Sequence, residues 1–150
     1  MLELIPNQLG YPLLSLLIFI PVIGSFILLF IRNAAAVRWI AVSVAAIDLA
    51  LCLPLLTGFD TTTANLQFGE NLPWIAAWGI NYKLGVDGIS ILFVALTALL
   101  TVISIMVSWT AIQDRVREFM IAILFLEAAM VGVFTSLDLF LFYIFWEAML

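Results

Sequence analysis

Long apolar runs set the rhythm of this chain, and short polar stretches punctuate them. The first run covers Leu13–Ile31 and contains Pro21, Gly24 and Ser25, residues that membrane helices tolerate and use for kinks or close packing. Arg32 and Arg38 bracket a short loop. The second run, Trp39–Leu56, carries Asp48 near its middle and Pro54 near its end. The third, Ile89–Trp109, has no charge at all. After a loop at residues 113–118 comes the fourth, Phe119–Thr135, with Glu127 near its centre. A turn at Ser136-Leu137-Asp138 opens the fifth, Leu139–Leu150. A transmembrane helix needs about 20 apolar residues. The fifth run rises only about 18 Å at 1.5 Å per residue, short of the roughly 30 Å hydrocarbon core. The pattern predicts an all-α polytopic membrane protein with four complete transmembrane helices and the start of a fifth. The chain, residues 1–150, reads as a single membrane domain and as the N-terminal fragment of a longer protein.

Between the second and third runs lies the only sizeable polar segment, residues 57–88. Ile80, Tyr82, Leu84 and Val86 alternate with other residues in its second half, and a period of two marks a half-buried strand. With Pro73-Trp74-Ile75 and Trp78-Gly79 upstream, the segment predicts a small β-hairpin lying on the membrane surface, where its tryptophans suit the interface. Asp87 precedes the third run and is placed to accept from the first free amides of that helix; Asp138 is placed in the same way before the fifth.

Composition supports this picture. Hydrophobic residues make up 66% of the chain and charged residues 10%, and the mean hydropathy is +1.27, far from a soluble domain. The net charge of −5 comes from scattered acids, and no basic run offers a nucleic-acid surface. The loops after the first and third runs hold Arg32, Arg38, Arg115 and Arg117, while the opposite side holds Lys83. The positive-inside rule then places the arginine loops in the cytoplasm, and the N-terminus and hairpin outside. The start Met1-Leu2-Glu3 is acidic, unlike a secretory signal peptide. Histidine is absent and Cys52 is the only cysteine, so the residue sets that hold haem, iron–sulfur clusters or zinc are missing. Cys52 reads as a small packing residue, and no cofactor is expected in this chain.

Three carboxylates fall inside apolar runs: Asp48, Glu127 and Glu147. An ionisable group at membrane depth is costly and marks a functional site by default. Glu147 lies nine residues past Asp138, or roughly 13–14 Å deep, which suits a group that loads and releases a proton. A carboxyl that merely ties helices together is the alternative. Glu127 is open to both readings, and Ala128 and Gly132, one turn apart, predict close approach of another helix. Asp48 reads as a tying carboxyl. The aromatics Phe140, Phe142, Tyr143, Phe145 and Trp146 go round the last helix, as a buried or lipid-facing span does, and signal a quinone site only weakly.

The motifs Pro73-Trp74-Ile75, Leu84-Gly85-Val86-Asp87-Gly88-Ile89-Ser90, Gly132-Val133-Phe134, Asp138-Leu139-Phe140-Leu141-Phe142 and Phe145-Trp146-Glu147-Ala148-Met149-Leu150 resemble the antiporter-like membrane subunits of respiratory complex I. The resemblance implies a bacterial inner-membrane subunit of about fourteen helices in an NADH:quinone oxidoreductase. It implies proton translocation driven by quinone reduction elsewhere, with NADH, FMN, iron–sulfur clusters and quinone all in other subunits. Neighbouring antiporter-like subunits and the lipid bilayer would be its partners. It also implies that Glu147, at the family's fifth-helix glutamate, pairs with a lysine beyond Leu150. Subunits of multisubunit Na+/H+ antiporters and membrane-bound hydrogenases share these features and remain an alternative, as does a structural membrane scaffold.

Overall fold

The computed structural model describes residues 3–150. Five helices follow the five apolar runs: α1 (Leu13–Leu29), α2 (Ala34–Thr57), α3 (Ser90–Ala111), α4 (Val116–Thr135) and α5 (Leu139–Met149). Among the described residues, α2, α3 and α4 are long and apolar enough to cross a membrane, while α1 and α5 are shorter. The helix starts lie close to expectation, and local chemistry explains the largest difference. The second helix begins at Ala34 rather than Trp39 because Asn33 caps it, its side chain accepting from the Ala35 and Ala36 amides at 2.9 and 3.4 Å. The first turn thus forms before the apolar run begins.

The extramembranous segment is more than a hairpin. Strands β2 (Leu66–Ile75) and β3 (Ile80–Val86) pair antiparallel through a 3-10 turn at Ala76–Trp78. Gly79 closes that turn at φ +69, a conformation open to glycine at little cost. A third strand, β1 (Leu4–Pro6), joins β2 in parallel, giving the order β1-β2-β3. Sequence reasoning missed β1, since three residues are too few to show a period. The prediction of an all-α chain with a two-stranded hairpin is corrected to helices plus a three-stranded sheet.

The sheet sits at one end of the helices. Glu70 of β2 accepts from the Leu14 amide at 2.8 Å and from the Ser15 amide and hydroxyl, so it ties β2 to the start of α1. Ser136, which ends α4, bridges to Leu84 of β3. Asp138 caps α5, accepting from the Phe140 and Leu141 amides at 2.9 and 3.3 Å, and it also accepts from the Asn81 amide of β3 at 3.1 Å. The opposite end holds the arginine loops. There Arg38 donates to the Ile112 carbonyl at 2.8 Å and to Gln113 at 3.2 Å, fastening the α3–α4 loop to α2. Chain direction therefore alternates between a sheet end and an arginine end.

Close helix contacts occur where small residues sit. A Cβ on Gly24 of α1 would meet Val44 of α2 at 2.8 Å, and one on Gly132 of α4 would collide with the Phe145 ring of α5. Such glycines let helices approach within van der Waals range.

Candidate functional site

The buried apolar side chains form two separate clusters. One, toward the sheet end, includes Leu13, Leu17, Cys52, Leu55, Leu84, Val94, Ala98 and Val131. The other, toward the arginine end, includes Leu28, Val37, Ala41, Ala45, Ile105, Met120 and Leu124. Between them runs a polar layer. On α2 the clusters are separated by Asp48, on α3 by Thr101 and on α4 by Glu127; on α1 the gap holds Pro21, Gly24 and Ser25. Counted at about 1.5 Å per residue from the sheet end of each helix, Pro21, Asp48, Thr101 and Glu127 all lie roughly 12–16 Å along. Four consecutive helices interrupt their apolar faces at one level.

Asp48 and Glu127 are each 0% exposed. Neither carboxylate oxygen of either residue has a hydrogen-bond partner within the chain. Each lies within electrostatic reach of the other, of Cys52 and, for Glu127, of the Thr101 hydroxyl. Cys52 is a buried free thiol one helical turn past Asp48. The Thr101 hydroxyl donates to the Thr97 carbonyl at 3.0 Å, and the Thr97 hydroxyl to the Phe93 carbonyl at 2.8 Å. No lysine or arginine lies on any of the five helices at this level; the cations are at the two ends.

Glu147 is placed differently. It is exposed on α5, about 12 Å from the start of that helix and so near the depth of the buried layer. Tyr143, one turn earlier, approaches its carboxylate. Glu127 is enclosed, whereas Glu147 is exposed. Asp138 sits at the interface as the α5 cap, and the Asn81 amide holds its carboxyl below the usual range. Asp87 also acts as expected at the start of α3. Its carboxylate accepts from the Ile89 and Ser90 amides at 3.1 and 2.7 Å, and these bonds lower it too. Phe140 packs edge-on against Trp74, with ring centroids 6.1 Å apart, while Tyr143 is exposed. Among the described residues no group of three or more His, Cys, Asp or Glu is gathered to hold a metal ion.

Sequence reasoning read Asp48 as a tying carboxyl and left Glu127 open to both roles; the structure buries both at one level. Their shared depth was countable from the loops. Their juxtaposition was not, because it depends on how α2 and α4 are rotated about their axes.

The architecture defines a polytopic helical membrane protein with carboxyl groups held at mid-depth. No family model matches the chain. It is similar to NADH-quinone oxidoreductase subunit M of Rhodobacter capsulatus, 43% identical over 91% of this chain and 27% of that protein. It is also similar to NADH-ubiquinone oxidoreductase chain 4 of Arabidopsis thaliana, 45% identical over 91% of this chain and 28% of the relative. The chain belongs to this subunit M/chain 4 family and spans less than a third of the length of these relatives. Among solved structures it is similar to a chain of the membrane-bound sulfane sulfur reductase, an archaeal respiratory membrane complex. The TM-score is 0.71 and the identity 23%, over 91% of this chain and 21% of the other. That likeness concerns the fold.

Proposed function

We propose that this chain is part of a proton-translocating membrane subunit of an NADH:quinone oxidoreductase, with no redox chemistry of its own. The observation that carries the reading is the 43–45% identity to subunit M and chain 4 proteins across nearly the whole chain. The depth of Glu147 supports it. A carboxyl about 12 Å inside a span, exposed on the face of α5 that no helix of this bundle covers, is placed to meet a partner group from elsewhere in a longer protein. A cation drawn close stabilises the carboxylate and releases its proton; drawn away, it lets the carboxyl take one up. A lysine fills that role in the resemblance set out above. Quinone reduction in other subunits would drive the change in distance.

In this reading α1 through α5 all lie in a bacterial inner membrane. The arginine end faces the cytoplasm, and the sheet and N-terminus face outward. The sheet lies against neighbouring membrane subunits of the same complex, where its outer edge finds cover.

The test is Glu147→Gln in the assembled complex, measured in inverted membrane vesicles. Proton pumping and coupled NADH oxidation are expected to fall strongly while the complex assembles in normal amount. Normal pumping in that variant would overturn the assignment and favour a structural scaffold.

A further inference from the structure

The family reading leaves Asp48 and Glu127 without a role, yet among the described residues they are the most enclosed ionisable groups. α1–α4 close over them completely, each residue being 0% exposed. The groups facing them can be named helix by helix. α1 and α3 carry no titratable residue along their length. α2 contributes Asp48 and Cys52, with Arg38 far off at the arginine end. α4 contributes Glu127, with Arg117 and Glu118 at the same far end. α5 carries Tyr143 and the outward-facing Glu147. No cation stands opposite the two acids. Two ionised carboxylates enclosed at one level of a low-dielectric interior are disfavoured twice, by desolvation and by mutual repulsion.

The carboxyls also lack any donor among the described residues. The Thr101 hydroxyl, at the same level of α3, donates to the Thr97 carbonyl at 3.0 Å, and neither oxygen of Asp48 or Glu127 has a hydrogen-bond partner. A carboxylate buried without a donor or a cation is left uncompensated, whereas the protonated acid carries no charge to compensate. Pro21, at the same level in α1, has no N–H to offer a carboxylate.

We propose that Asp48 and Glu127 form a proton-holding site, enclosed by α1–α4, that carries at least one exchangeable proton and is separate from Glu147. Its ligand is the proton itself. The carboxyls are its carriers, and they lie in the polar layer that separates the two apolar clusters.

The experiment is infrared spectroscopy on the purified membrane complex in H2O and D2O, comparing the native chain with the isosteric double variant Asp48→Asn/Glu127→Gln and with each single variant. The native complex is expected to show a protonated-carboxyl stretch that shifts in D2O. The double variant is expected to lose that band. An unchanged band in the double variant, or a native band that D2O leaves in place, overturns the proposal. Should the double variant not assemble, the single variants Asp48→Asn and Glu127→Gln decide, since each keeps one acid; a band that neither weakens nor shifts in either of them overturns the proposal. Glu147→Gln serves as the control. It should retain the band while pumping is lost, so failure of the proton-translocation reading and failure of this one give different results.

Discussion

Glu70 of β2 accepts from the Leu14 amide at 2.8 Å and so acts as the missing cap of α1. The residue that precedes α1 is Pro12, which has no capping side chain. Helix α1 takes its cap from a strand 56 positions further along. The contact anchors the sheet to the bundle, and the Ser15 hydroxyl extends it to the Tyr82 hydroxyl of β3 at 2.8 Å.

Glu70→Ala should therefore destabilise the sheet end by about 1–2 kcal/mol, the usual cost of losing a helix cap or leaving its amides unpaired. Thermal inactivation of the assembled complex and protease sensitivity near residues 57–65 would show it. A variant that matches the native protein in both would mean that the amides of α1 find another acceptor.

Gly132 sets the distance between α4 and α5. A methyl group there would collide with the Phe145 ring, so Gly132→Ala should lower the amount of assembled complex, and Gly132→Leu should lower it further. Pairing Gly132→Ala with Phe145→Leu should restore part of the loss. Single and double variants compared by quantitative blotting form a double-mutant cycle. Strict additivity would contradict the contact.

Asp138 makes the junction of β3 and α5 sensitive to acid. Its carboxyl is held below the ordinary aspartate value of 3.8 by the Asn81 amide first, then by the Leu141 and Phe140 amides and the nearby Lys83. A carboxyl lowered by folding contributes stability above its unfolded value and loses that contribution as pH falls through the folded one. The junction should thus be intact at neutral pH and loosen only below about pH 4. Trp74, packed on Phe140, is placed to report it: its fluorescence should change in that window. In Asp138→Asn, which keeps an acceptor oxygen but cannot ionise, the acid-induced change should shrink.

Arg38 should matter for anchoring at the arginine end. Its guanidinium reaches the Ile112 carbonyl and Gln113, so Arg38→Met, which keeps much of the stem, should free the α3–α4 loop. Faster cleavage by an added protease between residues 112 and 116 is the expected readout, on the face reached from the cytoplasmic side in the proposed orientation. Equal cleavage rates would show that the loop holds without it.

The five helices were legible because each is an apolar run bounded by charge or by a turn, and such runs survive any packing. Asp87 and Asp138 were legible as caps for a local reason: their partners lie two and three residues away. Reading failed wherever the partner was distant. β1 needs Leu66 and Gly69 beside it to be a strand. The cap of α1 comes from Glu70, which no pattern near Pro12 announces. Asp48 looked like an isolated polar residue of α2, and only the packing of four helices shows that it and Glu127 are enclosed at one level. Glu147 stood out in the sequence through its motif, yet among the described residues no Lys or Arg lies on α5 or at its depth.

The parallel pairing of β1 with β2 has a consequence for how the protein is made. Leu66 donates to the Glu3 carbonyl at 3.0 Å, and Asn7 to the Gly69 carbonyl at 3.1 Å. When residues 3–7 leave the ribosome, the strand they pair with has not been synthesised. Both α1 and α2 must emerge, and in the proposed topology cross the membrane in opposite senses, before residue 66 can arrive on the same side. The sheet can close only when the two helices between its strands have both crossed, or neither has. A hairpin with only one helix inserted would strand the two segments on opposite sides of the bilayer. The small sheet is thus a latch that records whether the two crossings came as a pair.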